Sequence, residues 1–176
     1  MTMQDIASAM QRMEQALRRR PGMGLHDDAP AVARWDGGTR VVSSHANGTR
    51  VSTDMPIELG GGGDGVTPGW LFRAGVAACL TTRIAMGAAA AGIELGALEV
   101  RAGSRSDLRG LLDLPDAEGM PVFAGPCEVQ LHVRIAAAGV APRLRALVED
   151  SHRCSPIPNA LEHAVAVDLH IDTDSH

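Results

Sequence analysis

The chain has 176 residues, enough for one domain with a sizeable core, and its 45% hydrophobic and 21% charged content is that of a folded globular protein and excludes extended disorder. A net charge of -5, with two Phe, two Trp and no Tyr, opposes a phosphate backbone and leaves little to stack on bases, so nucleic acid is not an expected partner. The first twenty residues hold no apolar run of signal type, and the longest apolar stretch, Leu71 to Ala91, is broken by Arg73 and Arg83, so neither export nor a membrane span is predicted and the cytoplasm is the expected compartment.

Ile6, Met10, Met13 and Leu17 recur at spacings of three and four, which predicts an amphipathic helix ending at Pro21-Gly22. Its narrow stripe suits docking on the main body or on a second subunit. Three runs follow, A-V-A-R-W, T-R-V-V-S-S-H and T-R-V-S-T-D-M, separated by D-G-G and A-N-G; residues 31 to 55 should form an antiparallel meander. The glycine cluster E-L-G-G-G-G-D-G-V, residues 58 to 66, fits neither a dinucleotide fingerprint nor a P-loop. A flexible loop is its plain reading, and close backbone approach to a site is the sharper one.

Thr67 and Pro68 then open a helix, as N-cap and first helical residue, and Gly92 closes it. Nearly every position between is apolar or small, so this helix should be enclosed on most sides and form the hydrophobic centre. A strand is predicted from near Leu95, a loop over 113 to 121, and a second strand over 127 to 135 with Glu128, Gln130, His132 and Arg134 on its wet face. An amphipathic helix follows from Pro142 to Arg153; S-P-I-P ends it, and A-V-A-V-D-L-H-I closes the chain as a strand. The order is that of an α+β fold without repeats or a dividing linker.

Cys79 sits in G-V-A-A-C-L-T-T-R on the central helix, and Cys154 in C-S-P-I-P-N-A-L, 75 residues later. A cysteine on a buried helix is often only a small packing residue. The segment G-G-G-x-G-x-T-P-x-x-L-F-x-A-G-V-A-A-C, with its cysteine eleven residues beyond the proline, resembles the OsmC/Ohr family of thiol-dependent organic hydroperoxide reductases. The second segment is similar to the family's Cys-Pro-x-Ser-Asn pattern, with a serine inserted before the proline. The resemblance covers roughly residues 31 to 172, making residues 1–22 an N-terminal helical extension and 23–176 an OsmC-like domain. It implies antiparallel sheets around a long buried central helix in an intertwined homodimer.

The same resemblance makes Cys79 the peroxidatic thiolate and Cys154 the resolving thiol that closes a disulfide with it. It implies an organic or fatty-acid hydroperoxide as substrate, no bound cofactor, and a dithiol reductant of lipoamide type. An enclosed thiolate needs a cation beside it. The family takes an arginine from a loop near the first strands, held by a glutamate after the proline that opens the central helix. Here that position is Gly69, a departure from the pattern. Among Arg34, Arg40 and Arg50 the first choice for the cation is Arg40, before V-V-S-S, and the second is Arg50. Arg83, four residues after Cys79, shares its helix face and could support it, or could simply cover apolar surface. Asp64 or Glu58 could orient an arginine in place of the missing glutamate.

An apolar pocket from Leu71, Phe72, Val76 and Met86 would favour alkyl substrates over hydrogen peroxide. His152 and Cys154 supply only a fragment of a zinc site, so no metal is expected, and Cys127 carries no motif. Two further readings stand beside the enzyme: an OsmC-like protein that binds a small hydrophobic ligand or senses redox state without efficient peroxidase activity, and an interaction protein whose dimer is its function.

Overall fold

The computed structural model describes residues 2–137 and 141–173. Helix α1 spans Met3–Arg19, capped by a reciprocal pair in which the Thr2 N–H donates to the Asp5 carboxylate at 2.7 Å and the Asp5 N–H to the Thr2 hydroxyl at 3.2 Å. Strands β1 (Val32–Trp35), β2 (Val41–Ser44) and β3 (Arg50–Thr53) form an antiparallel meander in the order β1-β2-β3, joined by the turns that D-G-G and A-N-G predict. After the glycine loop comes α2 (Pro68–Ala90). Thr67 is its N-cap, its hydroxyl accepting from the Trp70 N–H at 3.1 Å, and Pro68 occupies the first turn, where its missing N–H costs nothing.

A long antiparallel ribbon follows, β4 (Leu95–Arg105) against β5 (Cys127–Ala137), with Val100 opposite Val133. The short helix α3 (Leu108–Leu111) lies in the connection between them. Helices α4 (Ala141–Arg153) and α5 (Pro156–Glu162) complete the described elements.

α2 is the hub, packing against β4, α1, α4 and α5. Val76, Leu80, Ile84 and Ala88, at four-residue spacing, are at most 1% exposed and form one buried stripe. Gly87 lets α4 come close: a Cβ there would lie 2.9 Å from the Leu147 side chain and 3.0 Å from the Ser151 hydroxyl. The helix is less enclosed than its composition predicts. Trp70 is 49% exposed and Ala78, Thr82 and Ala90 also face outward, because the elements of one chain cover only part of its circumference.

Two sequence expectations for the C-terminal region differ from the structure. S-P-I-P does more than end α4 at Arg153: it also begins α5, since prolines at the first and third helical positions lack only N–H groups that have no intrahelical partner there. The segment A-V-A-V-D-L-H-I is not paired into a strand. It runs past α5 with Val165, Val167, Leu169 and Ile171 between 67% and 90% exposed, its period-two pattern intact but unpaired with any strand among the described residues. No described helix is long and apolar enough to cross a membrane.

Candidate active site

Cys79 lies on the α2 face that meets α5. The Ser155 hydroxyl donates to its Sγ at 3.3 Å and the Ile157 N–H donates to the same sulfur at 3.5 Å. Ser155 is completely buried. Cys154, one residue earlier, ends the last turn of α4 with its N–H bonded to the Asp150 carbonyl at 3.3 Å, and its side chain is exposed. All three cysteines are free thiols, and Cys127 is exposed at the start of β5. Val76 and Leu80, neighbours of Cys79 along α2, form the floor of a 620 Å³ cavity walled by Leu131 and Val133 of β5, Val148 of α4 and Leu161 of α5; Cys79 itself does not line it. At its rim His152 faces Glu162 at 3.4 Å. Among the described residues no three metal-ligating side chains converge.

The arginine half of the site is built on the meander. Arg40 Nη2 donates to Asp64 Oδ1 at 2.5 Å and lies 3.5 Å from Asp54 Oδ2. Asp54 has a side chain only 3% exposed and accepts from the Thr39 hydroxyl at 2.6 Å, the Met55 N–H at 2.8 Å and the Gly62 N–H at 2.9 Å. These bonds, with the Thr39 hydroxyl foremost, hold the Asp54 carboxyl below the ordinary carboxylate range. The hydrogen bond from Arg40 and then its charge do the same for Asp64, and Asp64 in return raises the Arg40 guanidinium.

The glycine cluster is thus a wrapped loop. A Cβ on Gly62 would stand 3.0 Å from both Arg40 Nη2 and Asp54 Oδ2, and one on Gly61 would overlap the Met55 carbonyl. Close backbone approach is the reason for these two glycines. Asp54 gave no signal in the sequence, since an aspartate ending a strand is common; Ser155 gave one, a serine directly before a helix-opening proline.

The remaining predicted residues fall in different places. Arg50 begins β3, beside a small hollow it shares with Arg34 and Asp36 on the meander. Arg83 does not turn back toward Cys79: its Nη1 lies 3.6 Å from the Cβ position of Gly87, a turn further along the helix, where that nitrogen is buried without a hydrogen-bond partner among the described residues. Met86 faces α1 in a groove with Met10, Met13 and Leu17, apart from the Val76 cavity. Leu71 and Phe72 are half-buried in the first turns of α2. The open side of Gly69 faces Arg73, whose Nη1 is 3.6 Å from where a Cβ would be and donates to the Ser104 hydroxyl at 3.4 Å. No described contact brings Arg40 to Cys79 within one chain; the meander packs on itself and on the glycine loop.

Residues 61–170 match the family model described as OsmC-like protein. The chain belongs to the OsmC/Ohr family. It is 34% identical over 135 residues to an organic hydroperoxide resistance protein of Xanthomonas axonopodis pv. citri, an alignment covering 75% of this chain and 84% of that one. Among solved structures, an organic hydroperoxide resistance protein of Elizabethkingia anophelis superposes with a TM-score of 0.59 at 28% identity, over 78% of this chain and 90% of that one. An OsmC-like protein of Mycoplasma pneumoniae, with a TM-score of 0.64 at 16% identity over 78% and 89% of the two chains, shares the fold. In this OsmC/Ohr chain the matched region takes in the glycine loop from Gly61 onward, Cys79, Cys154 and Ser155, and leaves α1 and the meander outside it.

Proposed function

We propose that this protein is a thiol-dependent peroxidase that reduces organic hydroperoxides to alcohols, with Cys79 as the attacking sulfur. The observation that carries the reading is the pair of donors aimed at one sulfur, the Ser155 O–H and the Ile157 N–H, in a chain of the OsmC/Ohr family. Two donors suit a sulfur that is anionic in attack and bears an oxygen afterwards. The Cys79 thiolate attacks the outer peroxide oxygen, the O–O bond breaks, the alkoxide leaves with a proton as alcohol, and the sulfur becomes a sulfenic acid. The apolar cavity over Val76 and Leu80 gives an alkyl or fatty-acid chain a surface to bury, which hydrogen peroxide cannot use. Return to the thiol consumes a second thiol, supplied by Cys154 or by a dithiol of lipoamide type, and the reducing cytoplasm is the compartment that sustains it.

Arg40, clamped by Asp64 and Asp54, is the cation of this reading, and it reaches a sulfur by way of a second copy of the chain. Three features support a homodimer. The chain alone exposes 13378 Å², against about 8,200 Å² for a folded monomer of its mass. Among the described residues the meander packs mainly on itself and on the glycine loop, and the 165–171 segment presents four large apolar side chains in strand alternation.

A second reading, binding of a small hydrophobic ligand or redox sensing without efficient turnover, draws on Gly69, which leaves the start of α2 without the carboxylate of the family pattern. Consumption of cumene hydroperoxide with dihydrolipoamide, compared between wild type and Cys79→Ser, decides between them. Loss of turnover in the variant supports the peroxidase, and no turnover in the wild type supports the binding protein. Light scattering should return twice the chain mass; a monomer would remove Arg40 from the site.

A further inference from the structure

We infer that Ser155 is the residue that positions Cys79, and that the oxidised sulfur is resolved by an incoming dithiol while Cys154 stands aside. The inference rests on the peroxidase reading and names how its second half proceeds.

Ser155 is the N-cap of α5. A serine there ordinarily accepts a hydrogen bond from the backbone N–H two or three residues on. This one makes no such bond. Its hydroxyl donates instead to Cys79 Sγ, and the N–H at the second helical position, Ile157, donates to that same sulfur. Cys79 thus takes the place of the cap acceptor, across 76 residues of sequence and from another helix. Fully buried, Ser155 has no water to turn to, so its hydroxyl is committed to the sulfur.

Cys154 is held differently. A disulfide needs sulfurs about 2.05 Å apart and a narrow range of Cα separations. To supply its sulfur, Cys154 would have to displace Ser155 from Cys79 and turn inward from an exposed position. That movement would break both donations to the sulfur and strain the two bonds that lock the α4–α5 junction, Asn159 Nδ2 to the Arg153 carbonyl at 2.7 Å and the Asn159 N–H to the Ser155 carbonyl at 3.0 Å. An incoming thiol needs none of this. The first turnover oxidises the Cys79 thiolate and reduces ROOH, consuming one proton and giving Cys79 sulfenic acid and ROH, with Ser155 O–H and Ile157 N–H beside the new S–O group. One thiol of the dithiol then forms an S–S bond with Cys79 as the S–O bond breaks and water leaves. Its second thiol attacks the mixed disulfide, releasing Cys79 as the thiol and the reductant as a cyclic disulfide.

The test uses diamide, which joins neighbouring thiols without any peroxide, on the full-length protein in a Cys127→Ser background, read by peptide mapping. Wild-type Ser155 should give no Cys79–Cys154 link, and Ser155→Cys should link Cys79 to the new thiol. Iodoacetamide alkylation of Cys79 at pH 7 should be about tenfold slower in Ser155→Ala, the effect of removing one hydrogen bond to a charged sulfur, and it keeps the test open if Ser155→Cys does not fold. After one equivalent of cumene hydroperoxide the wild type should carry a dimedone-trappable sulfenic acid on Cys79. A Cys79–Cys154 disulfide formed as readily as the engineered one, or alkylation indifferent to Ser155→Ala, would overturn the inference. A Cys79 inert to peroxide whose alkylation still depends on Ser155 would overturn the peroxidase reading and support the contact.

Discussion

Gly61→Ala tests whether the glycine loop is a rigid clamp for Arg40. The added Cβ would lie 1.7 Å from the Met55 carbonyl oxygen and 2.4 Å from its carbon. Both are backbone atoms, so no rotamer relieves the overlap, and an ordinary C···O contact of about 3.3 Å requires the two segments to part by roughly 1.6 Å. The Gly61 N–H bond to Pro56 O at 3.0 Å and the Gly63 N–H bond to Met55 O at 3.3 Å cannot survive that displacement. Two backbone hydrogen bonds at about 1 kcal/mol each give a loss of about 2 kcal/mol, within the usual range for overpacking. For a chain of this length that lowers Tm by about 4 to 8 °C. The Gly62 N–H would leave Asp54 as well, freeing the carboxylate that lies behind Arg40, so kcat/KM for cumene hydroperoxide should fall with stability. Gly22→Ala is the control, because nothing lies within 4 Å of its Cβ position, and it should leave Tm unchanged or slightly raised. Circular dichroism melts and peroxide consumption measure both quantities. A Gly61→Ala protein that melts and turns over like the Gly22→Ala control would refute the clamp.

Gly69→Glu places a carboxylate in the first turn of α2, within reach of Arg73, and removes a helical glycine; it should raise stability by about 1 kcal/mol, read as a Tm increase, and a decrease would show that Arg73 does not face that space. Leu80→Ala empties the buried stripe beside Cys79 and should cost about 2 to 5 kcal/mol in urea unfolding. In acid, Asp54 and Asp64 have folded values lowered below the ordinary 3.8, and Asp107, bonded by Arg109, is lowered to about 2. Lowered folded values mean that their stabilisation is fully present above about pH 4 and is lost as pH falls through the folded values, toward pH 2 for Asp107. Arg40→Met should flatten the Asp64 share of that acid loss, which melts between pH 5 and pH 2 would record.

Local chemistry carried much of this protein's description. The Thr67-Pro68 start of α2, the three meander strands and the alternation of β5 are fixed by neighbours in the sequence, through capping, turn residues and side-chain period, and they stand where the pattern puts them. The Cys79 motif together with the Cys154 segment likewise sufficed to recognise the family. What depends on contacts between distant segments was decided only in three dimensions. S-P-I-P reads as the end of α4, which it is, but that the same prolines open α5, packed on α2, is visible only in three dimensions. The same packing set Ser155 against Cys79 and left Cys154 outside, a choice between adjacent residues that depends on how α4 hands over to α5. Asp54 became the centre of a hydrogen-bonded loop because glycines eight residues on could close over it. The strand pattern of 165–171 shows the converse case: period two specifies which side chains share a face, but a strand exists only where another edge supplies its hydrogen bonds, and the described residues of one chain offer none there.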